Sequence, residues 1–181
     1  MEAKGKMLQS DCSFSGISPL MLPFPYPPVR VREQNPFYAK LLTVDYCGAV
    51  SELTAITQYI HGESCMCCGY CTEARTLLGI AMAEMIHLQK LGEMVMLLGG
   101  NIDFSISTRS GKPQQWTPSY VEFAGNLQGI ISANIEAEKA AINQYEQHMK
   151  MIEDDCVRAV LERIVQDEEY HIMLLQMMRR G

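Results

Sequence analysis

The chain has 181 residues, enough for one domain with a full hydrophobic core and too few for two ordinary ones. Its composition, 48% hydrophobic and 20% charged, excludes global disorder, and a net charge of -6 gives no electrostatic reason to bind nucleic acid. No run approaches the roughly 18 apolar residues that a membrane span requires, and no signal core stands near Lys4 and Lys6, so a cytoplasmic protein with no membrane partner is expected.

Residues 1–35 hold most of the prolines, including Pro23, Pro25, Pro27 and Pro28, and repeated proline removes backbone donors and fixes φ, so this segment is expected as an extended arm. Residues 36–181 are expected as an all-α four-helix bundle: two antiparallel hairpins joined by a long crossover. Asn35-Pro36 reads as a helix start, with proline in the first turn, and the first helix is placed at about 36–62, ending at Gly62. A Cys-rich loop follows. The second helix, about 72–98, carries the period Leu77, Ile80, Ala81, Glu84, Leu88, Leu91, Val95 and is stopped by Gly99-Gly100. Residues 99–119 have no helical period and are read as the crossover. Two more helices are expected at about 120–150 and 154–179, with the acidic turn Glu153-Asp154-Asp155 at the start of the last.

The two hairpins repeat one another. Ser51-Glu-Leu-Thr-Ala-Ile-Thr-Gln-Tyr59 aligns with Ala137-Glu-Lys-Ala-Ala-Ile-Asn-Gln-Tyr145, which superposes Glu52 on Glu138 and Tyr59 on Tyr145. Each is followed by Glu-x-x-His: Glu84 with His87, and Glu168 with His171. Residues three apart share a helix face, so each pair can aim a carboxylate and an imidazole at one point. At about 1.5 Å of rise per residue, antiparallel packing brings Glu52, Glu84, His87, Glu138, Glu168 and His171 to one level in the bundle.

Four carboxylates in a bundle core repel one another and lose hydration unless cations neutralise them, and no Lys or Arg is placed to do so; Lys139 is rotated about 100° from Glu138. Two metal ions are the natural counter-charge, and a donor set of carboxylates with two imidazoles suits iron or manganese. Glu136 is the competing choice for Glu138, but the internal repeat selects Glu138. Glu136 and Glu169 are read as outer partners or solvent-facing, and His61 and His148 as surface residues.

On these motifs the sequence resembles the ferritin-like superfamily, over about residues 36–178, and Ser51–Tyr59 with Glu84–His87 and Asp167–His171 looks most like bacterioferritin, with rubrerythrin and manganese catalase as cousins. The resemblance implies that the six residues are metal ligands, that Glu84 and Glu168 bridge, and that Tyr59 stands close to the metals. It also implies a homo-oligomer, at least a dimer. Only ten residues follow His171, so the short fifth helix of cage-forming ferritins is missing and a storage shell is not expected. Met85 lies where bacterioferritins have a haem-ligating Met, but with 13 Met in the chain it is read as ordinary packing, without haem.

The function implied is a redox reaction of a di-iron or di-manganese centre with dioxygen or hydrogen peroxide, of ferroxidase, peroxidase or catalase type, with Tyr59 or Tyr145 donating a proton or an electron. The alternatives are an iron-sequestering protein that takes up ferrous iron, and an assembly component whose metals only hold the bundle together. Cys65, Cys67, Cys68 and Cys71 contain C-x-x-C spacings but lack the distant second pair of a zinc ribbon, which leaves a soft-metal or redox role, an interface role or none. Cys12, Cys47 and Cys156 read as ordinary thiols.

Overall fold

The computed structural model describes residues 12–108 and 110–180. Its helices are α1 (Pro36–Cys47), α2 (Glu52–Met66), α3 (Cys71–Leu97), α4 (Leu127–Met151) and α5 (Asp155–Arg180). α2 packs against α3 and α4 against α5 as the two hairpins, while α2–α4 and α3–α5 contacts close the bundle. α1 lies on the C-terminal part of α3, where Leu42, Tyr46, Leu91 and Val95 share a core cluster with Val160 and Ile164 of α5; a second cluster joins Tyr59, Leu77, Ile80, Ile131 and Leu175.

Asn35 caps α1 as expected: its side chain accepts from the N–H groups of Phe37 and Tyr38, and Pro36 occupies the first turn. The expected single helix over 36–62 is interrupted. Gly48 ends α1, donating its N–H to the Val44 carbonyl, and Ser51 starts a new helix by accepting from Thr54 N–H and donating its hydroxyl to the Gly48 carbonyl. Gly62 does not end the helix either. It lies buried inside α2, where a Cβ would stand 2.8 Å from Ile130 Cγ2, so this glycine serves close packing rather than termination. α2 then runs into the Cys-rich stretch and takes in Cys65.

The crossover holds a small antiparallel hairpin, β1 (Ser105–Ser107) and β2 (Pro113–Gln115), with Ile106 opposite Gln114. It is tied to α2 by the Trp116 indole N–H, which donates to Thr54 Oγ1 at 2.9 Å, and by Glu122 N–H, which donates to Gln58 Oε1 at 2.9 Å. The third long helix starts seven residues later than expected. Asn126 caps it by accepting from Gly129 N–H, and Pro118–Tyr120 forms a separate 3-10 turn. The acidic turn stands where it was placed: Asp154 Oδ1 accepts from Cys156 and Val157 N–H at the start of α5.

Residues 12–35 contain neither helix nor strand and lie against α3 and α5; the first eleven residues of the expected arm are outside the described residues. Contrary to its reading as an ordinary thiol, Cys12 is bonded to Cys71 in a disulfide whose Cα atoms are 5.1 Å apart. The sequence hid this bond because its partners are 59 residues apart. No described helix is long and apolar enough to cross a membrane.

Candidate metal centre

The corrected helix limits align the two halves closely. Glu52 lies fourteen residues before the end of α2 and Glu84 thirteen after the start of α3; Glu138 and Glu168 are thirteen from the corresponding ends of α4 and α5. Ser51 also sets Glu52 locally, since its cap places Glu52 at the first helical position, where the N-terminal end of the helix dipole favours a carboxylate.

The six side chains meet in the core, none more than 3% exposed. His87 Nδ1 lies 2.7 Å from Glu84, 3.2 Å from Glu168 and 3.8 Å from Glu52. His171 Nδ1 mirrors it, at 3.0 Å from Glu168, 3.1 Å from Glu84 and 3.5 Å from Glu138. The imidazole rings face each other with centroids 5.9 Å apart. Two donor groups result, Glu52 with Glu84, His87 and Glu168, and Glu138 with Glu84, Glu168 and His171, in each of which the ligand atoms lie within 4.8 Å of one another. Glu84 and Glu168 belong to both.

The electrostatics show an excess of negative charge. Burial, then the Glu168 and Glu84 carboxylates, pushes Glu52 and Glu138 well above the usual carboxylate range. Burial also acts upward on Glu84, but the His171 and His87 imidazoles outweigh it and hold this carboxyl below its ordinary value. For His87 and His171 burial disfavours the charged ring, yet the carboxylates around them win and raise both. Protons therefore stand where positive charge is needed.

The residues fit a pair of metal ions on the structure's own terms. Glu84 Oε1 and Glu168 Oε1 are buried without a hydrogen bond, although each lies close to an imidazole Nδ1, and such acceptors cost free energy unless a cation meets them. A set of hard oxygens and two imidazoles suits iron or manganese.

Tyr59 and Tyr145 both reach the centre, in crossed fashion: Tyr59 on α2 donates to Glu138, and Tyr145 on α4 donates to Glu52. Burial, followed by these carboxylates, raises both phenols well above their ordinary value. Glu136 and Glu169 are exposed, and Lys139 pairs with Glu136 at 2.7 Å, away from the site. His148 is not a surface residue. It is buried, with Nδ1 2.8 Å from Asp45, and Gln144 donates to the other oxygen of Asp45. His61 is half-buried against Phe123 and the Ala124 carbonyl. Met85, read as packing, is 45% exposed and lines a groove on α3 with Leu88, Met96 and Leu97.

Sequence reasoning missed Asp167 as a partner of the centre. Its Oδ2 lies 3.4 Å from His87 Nε2, and Arg163 Nη1 lies 2.7 Å from its Oδ1. The signal was present, since Arg163 and Asp167 are four apart on one helix face, but nothing local says which imidazole Asp167 faces. Among the described residues, no candidate metal group includes a cysteine.

The rubrerythrin family pattern matches residues 51–179, a span that contains all six residues. The chain belongs to the rubrerythrin family. It has the ferritin-like di-metal carboxylate fold of that family. A probable manganese catalase of Clostridium acetobutylicum is 27% identical over 82% of this chain and 72% of its own length. The solved manganese catalase KatB of Anabaena PCC7120 aligns with a TM-score of 0.72 and 25% identity, over 86% of this chain and 77% of that one. Mycobacterium tuberculosis bacterioferritin, at 22% identity and a TM-score of 0.64 over 82% of this chain and 87% of its own, shares the fold.

Proposed function

We propose that this rubrerythrin-family protein is a di-manganese enzyme that disproportionates hydrogen peroxide to dioxygen and water. The observation that carries this reading is the sharing of Glu84 and Glu168 between two histidine-bearing donor groups, which is the arrangement two adjacent metals require. The choice of manganese and peroxide is supported by the likeness to the two manganese catalases.

Glu52 and His87 would hold one ion, Glu138 and His171 the other, and Glu84 with Glu168 both. When bound, the metals supply the reversible electron changes that let one peroxide be oxidised and another reduced. The chain's own groups do the rest. Tyr145 and Tyr59 hold protons at Glu52 and Glu138, and each keeps its carboxylate turned to the centre. Raised phenol pKa values keep those protons in place at neutral pH.

A narrow cleft with only about 10 Å³ of free space, room for about one water, lies between α2 and α4 and touches Glu52, Glu138 and Glu168. Its walls include the small side chains of Ser51, Ala55 and Ala141, and its size excludes all but the smallest substrates.

Elemental analysis of protein purified without added metal, followed by peroxide and dioxygen assays on manganese- and iron-loaded samples with Glu84→Ala as control, tests the reading. Dioxygen release from peroxide by the manganese form supports it. Dioxygen uptake with ferrous iron and no peroxide turnover would replace it with ferroxidase chemistry. No metal-dependent turnover would overturn both. Native mass in the same preparation checks the homo-oligomer.

A further inference from the structure

The proposed chemistry draws on α2 to α5 and leaves the arm unused, yet the arm reaches the back of His171 directly and of His87 through Asp167. His171 Nε2 lies 2.8 Å from the Leu20 carbonyl. A carbonyl only accepts, so this contact puts the proton on Nε2 and leaves Nδ1 as the atom that faces Glu84 and Glu168. On the other side, Leu22 N–H donates to Asp167 Oδ1 and the Tyr26 hydroxyl to Asp167 Oδ2, both at 2.7 Å, and Asp167 in turn faces His87 Nε2. The arm therefore orients one ring directly and the other through Asp167.

The seat is shaped for it. Leu20 N–H donates to the Gly79 carbonyl at 2.9 Å, and a Cβ on Gly79 would stand 2.7 Å from Leu20 Cγ, so α3 has no side chain where the arm crosses it. Arg163 donates to the Leu22 carbonyl at 2.8 Å, and its guanidinium lies 4.6 Å from the centre of the Tyr26 ring. Arg75 of α3 donates to the Ser13 carbonyl. With no helix or strand of its own, the arm depends on these contacts and on one covalent bond, Cys12–Cys71, eight residues before Leu20, which ties it to the first residue of α3.

We propose that residues 12–26 are a positioning strap for His87 and His171, and that the Cys12–Cys71 disulfide is its redox-controlled latch. The proposal rests on the di-metal reading. A dithiol reductant opens the latch: one of its thiolates attacks a sulfur of the bond, the second resolves the mixed disulfide, two protons complete the Cys12 and Cys71 thiols, and the reductant leaves as a disulfide. The opened arm is then held to its seat by its non-covalent contacts alone and can leave it. Loss of the Leu20 and Tyr26 contacts then frees the rings, and the centre holds metal less firmly, because the partners behind a ligating histidine set its tautomer and orientation.

The full chain loaded with Mn²⁺ tests this by the rate of metal release to excess chelator, measured before and after reduction. The same measurement on Cys12→Ser/Cys71→Ser repeats the open state without a reductant, and Gly79→Ala lifts the strap with the disulfide intact. Manganese electron paramagnetic resonance reports the ligand geometry in each. Release about tenfold faster in all three open or lifted forms, with an altered resonance, is the expected result. If the disulfide only stabilises the fold, its loss lowers the melting temperature and leaves release and resonance unchanged below it, which would overturn the strap alone. Failure to bind manganese in both the oxidised and the reduced state would overturn the proposed function and the strap with it.

Discussion

Tyr145 on α4 donates its hydroxyl to Glu52 on α2, ninety-three residues away, and Tyr59 returns the same bond from α2 to Glu138 on α4. Each half of the internal repeat thus completes the other half's carboxylate. The crossing ties the two hairpins together at the level of the centre.

Tyr145→Phe and Tyr59→Phe remove these donors and keep the ring packing. A hydrogen bond to a charged group contributes about 1.5–3 kcal/mol, so each variant is expected to weaken metal binding by about tenfold or more at the carboxylate it leaves unsupported. Isothermal titration with Mn²⁺ measures this, with circular dichroism showing an intact bundle. Unchanged affinity in both variants would remove the tyrosines from the centre.

The shared carboxylates and the lone ones differ in consequence. Glu84→Ala and Glu168→Ala each take a ligand from both donor groups and are expected to leave almost no bound metal, whereas Glu52→Ala and Glu138→Ala are each expected to leave one ion per chain. Metal-to-protein ratios after desalting read this directly; equal losses in all four variants would contradict separate bridging and terminal roles.

Burial, followed by the nearby Asp103 carboxylate, pushes the Cys47 thiol up to about 11, from an ordinary value of 9.0. The folded state thus keeps a proton that the unfolded chain gives up earlier. The stabilisation is fully present below about pH 9 and is lost as pH rises through about 11; it amounts to about 2–3 kcal/mol. Denaturant unfolding of the wild type and of Cys47→Ala between pH 8 and 11.5 should show their stability difference shrinking by roughly this amount. A difference independent of pH would show that the thiol is not held protonated.

Gly62→Ala tests the correction at the end of α2. In an open helix this change gains up to about 1 kcal/mol. Here the new methyl meets Ile130 Cγ2 at 2.8 Å and Leu77 Cδ1 at 3.3 Å, and overpacking costs about 1–3 kcal/mol, so a lower melting temperature is expected. A raised one would mean that α4 yields easily at this contact.

Much of the centre was legible because its information is local. The two Glu-x-x-His pairs need only helical spacing, and the repeat at Glu52 and Glu138 supplies the remaining carboxylates with their order along the chain. The errors came where one residue type has two physical uses. Gly62 reads as a stop, since glycine ends helices, but its missing side chain here lets α2 approach α4. His148, without a patterned neighbour, reads as exposed, but it is buried against Asp45, 103 residues away.

The sequence by itself determined which groups could gather: six carboxylate and imidazole donors, at spacings that a helix turns to one side. Tertiary structure alone decided what surrounds them, namely the crossed tyrosines, Asp167 behind His87, the Leu20 carbonyl behind His171 and the bond from Cys12 to Cys71. The difference is physical. Helical periodicity is written in neighbouring residues, whereas these contacts join groups 59 to 151 residues apart, and which of them form is settled only when the bundle closes and the arm finds its seat.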